Sequence, residues 1–151
     1  MMNSPMELRQ ALTDLAADHK LVEDTVRDLA RLLTADAPNL PAIQTALNTI
    51  SLTANRHFAS EESLMADLEY PRLPAHRVNH QWFRTFMNTY QNGVALGTIR
   101  INDDARRNLP NLIRFYAGCH DNQFENWLAA SHGWRQVPAW LRTPQASACH
   151  A

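Results

Sequence analysis

Apolar residues return along this chain every three or four positions, a period that predicts helices almost throughout. Leu8, Leu12, Leu15, Val22 and Val26 form one stripe, with His19 set in the same row. Ser4-Pro5 supplies an N-cap and then a proline at the first helical position, so a first helix is expected from there to Leu33. Ala35 to Leu40, with Pro38, breaks it. A second helix starts at Pro41 and carries Ile43, Leu47, Ile50, Ala54, His57, Glu61 and Met65 along one stripe. It ends ahead of Tyr70-Pro71, because proline disfavours helix in the residue before it. A third helix begins near Pro74, aligns His76, His80, Phe83 and Met87, and stops at Asn92-Gly93. Asp103 and Asp104 suit the positive end of a fourth helix dipole. That helix continues through Phe115, His120, Phe124 and Leu128 to Gly133, with Pro110 either kinking it or marking its first turn.

Four such helices with short connections make an antiparallel up-down four-helix bundle, an all-α fold. The bundle is expected over residues 5–132, with 133–151 as a short C-terminal tail that Trp134 and Trp140 would dock. The composition agrees. A length of 151 residues suits one domain, only four glycines are present, and Leu and Ala dominate the apolar positions. No internal repeat, low-complexity segment or second domain is visible.

Charge narrows the function classes. With 14 basic and 15 acidic residues the net charge is −1, which gives no footprint for nucleic acid or an anionic membrane. No apolar run approaches the roughly 20 residues of a membrane span. Met1 to Leu12 lack the basic flank and apolar block of a signal peptide, so a cytoplasmic location is expected. The two cysteines, Cys119 and Cys149, do not form a disulfide framework, and Cys119 reads as core filler.

The chemistry lies in the histidines. His57 and Glu61 are four apart on one helix, and His76 and His80 are four apart on the next. At about 100° per residue each pair projects from one face, the face that carries the apolar stripe. One His-x-x-x-Glu alone is an ordinary helix pair. Two such pairs facing one core need partners, because unpaired buried polar groups are costly, and a metal satisfies all of them at once. His19 alone would be a hydrogen-bonded core histidine; beside the other four groups it points at the same cavity. Glu62 and Asp18 neighbour these residues, and are either solvated or orient a histidine through its second ring nitrogen.

The run His57-Phe58-Ala59-Ser60-Glu61-Glu62, then Leu64-Met65, Tyr70-Pro71, His76, His80 and Phe83, resembles the second and third helices of the hemerythrin family. The likeness is to its bacterial single-domain members in particular, and a weaker similarity extends over residues 8 to 128. The resemblance implies two iron ions with a bridging oxo or hydroxo group. It puts His19 and His57 on one iron, His76, His80 and a fourth-helix histidine on the other, and Glu61 between them. The family's fourth-helix pattern is His, four residues, then Asp. Matched here, it gives His120 followed by Glu125, whereas His132 is followed at that distance by Val137. Glu125 stands where the family usually has Asp, and Ala117 where it usually has Leu.

Imidazole and carboxylate suit iron, manganese or zinc. The implied ligand set fills one iron and leaves one position open on the other, where the resemblance places dioxygen. An oxygen-binding protein for storage, delivery or sensing is therefore expected rather than an enzyme. A diiron enzyme reducing nitric oxide or peroxide, and a zinc-bound or metal-free interaction module, are the alternatives. Phe58, Met65, Phe83 and Phe115 are candidates to line the oxygen pocket, though at this period each also reads as plain bundle core. Ala117 leaves more room there than Leu, so faster oxidation of the oxygenated form is expected. Oligomeric state stays open.

Overall fold

Helix ends in this protein are set by two asparagine caps and two left-handed residues. The computed structural model describes residues 5–118 and 121–131. They form α1 (Pro5–Leu33), α2 (Leu40–Asp67), α3 (Leu73–Ala95), α4 (Asp103–Gly118) and α5 (Asp121–Ser131), with no strand among the described residues. The expected N-cap Ser4, both cysteines, His120, His132 and the tail with Trp134 and Trp140 lie outside the described residues.

Asn39 caps α2 by accepting a hydrogen bond from the Ala42 backbone N–H at 3.0 Å. Asn102 does the same ahead of α4, accepting from Ala105 at 2.9 Å. The end of α2 closes with two reverse bonds, Tyr70 N–H to Met65 O (2.8 Å) and Glu69 N–H to Ala66 O (3.1 Å). That is a Schellman closure, and Glu69 holds its left-handed position at φ 55° where glycine is usual.

The third helix departs from expectation. Asn92-Gly93 does not stop it; α3 runs to Ala95, and Gly97, at φ 71°, is the left-handed residue. Gly93 is glycine for a packing reason instead. Ile99 lies across it, so that an added Cβ would collide with the Ile99 side chain, and the Ile99 N–H donates to the Gly93 carbonyl at 2.9 Å. Pro110 likewise lies inside α4 rather than in its first turn.

α1 packs against α2 and α4, and α3 packs against the same two, closing a four-sided bundle. Its interior falls into two apolar clusters. The larger holds Val26 and Leu29 of α1, Ile43 and Leu47 of α2, Phe83 and Met87 of α3, and Leu109 and Ile113 of α4. The smaller holds Leu8 and Leu12 of α1, Leu64 and Met65 of α2, Tyr70, and Phe124 and Leu128 of α5. α1 and α3 therefore run toward the larger cluster, and α2 runs away from it, as do α4 and α5 in succession. This is the expected antiparallel up-down order. Arg114 ties α4 to α1 through a bidentate contact with Glu23 at 2.9–3.1 Å, a half-exposed pair worth at most about 1 kcal/mol. Burial of the two clusters holds the bundle together.

Candidate metal centre

Between the two apolar clusters α1, α2 and α3 each turn polar. On α1, His19 falls between Leu15 and Val22; on α2, His57 and Glu61 fall between Ala54 and Leu64; on α3, His76 and His80 precede Phe83. The α2 and α3 groups are as buried as the aliphatic core, with His57, Glu61, His76 and His80 each at most 4% exposed. Four ionisable side chains at that depth are expensive unless they satisfy one another or share a cation.

They converge on one oxygen. Oε2 of Glu61 lies 3.0 Å from Nε2 of His76, 3.3 Å from Nε2 of His80 and 3.9 Å from Nε2 of His57. Glu61, His76 and His80 each offer a donor atom within 4.8 Å of the other two, which makes them a group able to hold a metal ion. Neighbouring ligands on an ion with bonds of about 2.1 Å stand about 3 Å apart, so the spacing fits an ion held by nitrogen and oxygen. His57 adjoins the group, its Nε2 3.9 Å from the Glu61 oxygen. His19 follows it, its ring stacked on that of His57 at 4.6 Å and 22°.

Electrostatics follow the geometry. Burial pushes the Glu61 carboxyl up, but hydrogen bonds from His76 and His80 and the charge of His57 and His76 outweigh it, holding the group well below the usual carboxylate range. Glu61 thus stays a carboxylate, the form that binds metal, through mildly acidic conditions. Glu62 is lowered too: partial burial raises it, and His80, Arg77 and Arg84 pull it down more.

Phe58 stacks flat on His80 at 3.8 Å and meets Phe83 edge-on at 5.1 Å, so both phenylalanines adjoin the site. Met65 is fully buried in the smaller cluster, and Ala117 is buried in the larger. Phe115 is different. It is 39% exposed and does not face the interior. Ile113 and Ala117 take the inward positions of α4, and a residue midway between them points outward at about 100° per residue. Glu125 lies half-buried on α5 beside inward-facing Phe124, and is not part of the three-donor group.

Two features go beyond the sequence reading. Glu62, for which solvation and the orienting of a histidine were both open, is bonded: its Oε1 lies 2.7 Å from Nδ1 of His80 and its Oε2 accepts from Arg77 Nε at 3.2 Å. Arg77, His80 and Arg84, at spacings of three and four, share one face of α3, which was the available signal. The second is a half-open cavity of about 300 Å³ outside His76, lined also by Tyr70, Arg72, Val78, Asn79 and Gln123. Nothing in the pattern of apolar positions marks it. Asp18, the other neighbour considered, pairs with Arg56 of α2 instead of a histidine.

An antiparallel helical bundle with a buried histidine–carboxylate group across its middle defines a class of metal-binding bundle proteins. The comparison with protein families specifies which: the hemerythrin HHE cation binding domain matches residues 10–125. The chain belongs to the hemerythrin family, and it is a metal-binding protein. Neither the comparison with curated proteins nor that with solved structures gives a match. No helix among the described residues is long and apolar enough to cross a membrane.

Proposed function

We propose that this domain holds two iron ions and binds dioxygen reversibly, serving oxygen storage, delivery or sensing. The observation that carries the reading is the buried Glu61 carboxylate, whose one oxygen lies 3.0 and 3.3 Å from His76 and His80 of α3 and 3.9 Å from His57 of its own helix. A carboxylate shared by the His76–His80 pair and by His57, with His19 stacked behind it, offers more imidazoles than one ion needs and suits two. His76 and His80 would hold one ion and His57 and His19 the other, with Glu61 shared; Glu125 and His120 complete the set by family resemblance. A ferrous pair held there would supply the electrons that dioxygen needs to bind. The chain's own residues do the rest. Phe58 and Phe83 keep water from the His80 side, since apolar walls exclude stray protons. Glu61, held as a carboxylate by its histidine neighbours, would offer a charged donor to the ions.

The test is to load the reduced protein with ferrous iron without air, count the metal and then admit oxygen. Two irons per chain and an absorption band that reverses on removing oxygen are expected. Rapid catalytic loss of peroxide or nitric oxide would instead favour an enzyme. Zinc binding with no uptake of ferrous iron would end the oxygen reading. Ala117 sharpens the proposal, because Ala117→Leu narrows the interior and should slow oxidation of the oxygenated form.

A further inference from the structure

We propose that Glu62, which is not itself a ligand, positions His80 and sets how strongly its ring donates to the metal, with Arg77 grading the effect. The inference rests on the metal-binding reading above and concerns one histidine within it. Glu61 and Glu62 are consecutive on α2, about 100° apart around the helix. Glu61 therefore enters the core while Glu62 reaches the flank of α3. There it meets three residues of one helix face. Its Oε1 lies 2.7 Å from His80 Nδ1 and 3.7 Å from Arg84 Nη2, and its Oε2 accepts from Arg77 Nε at 3.2 Å.

This geometry gives each ring nitrogen of His80 its task. Nε2 faces the Glu61 oxygen at 3.3 Å, where a bound metal would take the place of its proton, and Nδ1, 2.7 Å from Glu62, keeps the N–H that donates outward. The ring has little freedom otherwise. Phe58 covers one face at 3.8 Å; the Arg84 guanidinium lies 5.6 Å from the Phe58 ring centre while its Nε donates to Asn55 at 2.9 Å. Edge and face of His80 are thus both held by α2, at the depth where α2 also supplies Glu61.

A carboxylate accepting the Nδ1 proton draws it away from the ring and makes Nε2 more electron-rich. A richer donor binds metal more tightly and favours the higher oxidation state. Arg77 works against this, because a cation on Glu62 weakens its hold on that proton. Arg77 is largely exposed, with 55% of its side chain in solvent, so it can be changed without disturbing the core.

The two sides of the mechanism have opposite signs, which makes it testable. Glu62→Gln keeps the shape and loses the charge. It should weaken cobaltous and ferrous binding roughly 10–100-fold and raise the midpoint potential of the iron. Arg77→Gln should lower that potential and leave affinity unchanged or higher. Glu62→Asp should recover part of the affinity. A purely structural role for the network predicts shifts in one direction for both variants, and that result, or an unchanged potential in Glu62→Gln, overturns the proposal. Nitrogen-resolved NMR of the metal-free protein separates this inference from the metal reading. His80 should carry a proton on Nδ1 in the native chain and lose it in part in Glu62→Ala. A native chain whose His80 is protonated at Nε2 alone overturns the proposal, and a chain that binds no metal yet shows this change at Nδ1 loses only the metal reading.

Discussion

His76 and His80 stand one turn apart on α3 and present the same nitrogen to the same carboxylate oxygen, at 3.0 and 3.3 Å. Their backs are different. His80 is enclosed by the Phe58 ring and the Glu62 carboxylate. His76 forms part of the wall of a half-open cavity of about 300 Å³ shared with Tyr70, Arg72 and Gln123. Two donors that look equivalent by spacing and burial therefore differ in how they are held. The enclosed side holds its histidine by face and edge, and the open side leaves a cavity beside its histidine. The asymmetry arises from neighbours. α2 lies along the His80 flank and supplies Phe58 and Glu62, while the α2–α3 turn and α5 meet the His76 flank loosely.

The largest expected effect is on the enclosed side. Phe58 is 1% exposed and contacts both His80 and Phe83, so Phe58→Ala should cost about 3–5 kcal/mol of stability. Val78, on the cavity wall and half exposed, should cost no more than about 0.5 kcal/mol when cut to alanine. Denaturant midpoints of the two metal-free variants check this. Similar losses would mean that both flanks are equally packed and the contrast is wrong.

A second test uses the cavity directly. His76→Gly and His80→Gly should both lose metal, since each removes a donor from the three-residue group. Adding free imidazole should restore metal to His76→Gly, because the vacated ring space joins an existing opening to solvent. It should restore little to His80→Gly, where Phe58 and Glu62 close the space. Cobalt absorption titrated with imidazole reads the difference. Equal rescue of both variants would remove the claim that His76 is the accessible side.

How much of this was legible in the sequence depends on distance along the chain. The span of α1 and the inward placing of His57, Glu61, His76 and His80 follow from a repeat of three and four, which local helix geometry controls. Phe115 was misread because a bulky apolar residue looks inward by composition. Its phase relative to Ile113 and Ala117 turns it out. Gly93 was misread because its constraint comes from Ile99, beyond the helix it was expected to end. The bonding of Glu62 needs α2 and α3 to sit at one particular register, a property of the packed bundle that neither helix holds alone. The His76 cavity is harder still, since it is defined by what three separate segments leave unfilled.

The smallest expected effect tests the turn that builds the open side. Glu69 occupies the left-handed position of the α2 closure at φ 55°, and the next residue, Tyr70, lines the cavity after bonding back to Met65 at 2.8 Å. A side chain at that φ costs about 1–2 kcal/mol, and glycine relieves it while adding freedom to the unfolded chain. The net gain for Glu69→Gly should be about 0.5–1 kcal/mol, read as a higher denaturant midpoint. Gly97, at φ 71° after α3, should show the reverse when changed to alanine. Metal affinity is the informative second reading. If Glu69→Gly raises stability and leaves affinity unchanged, the strain belongs to the turn alone. If affinity falls, the strained turn is what presses Tyr70 against the His76 wall, and the open side is held in place by stored strain, as the closed side is held by Glu62 and Phe58.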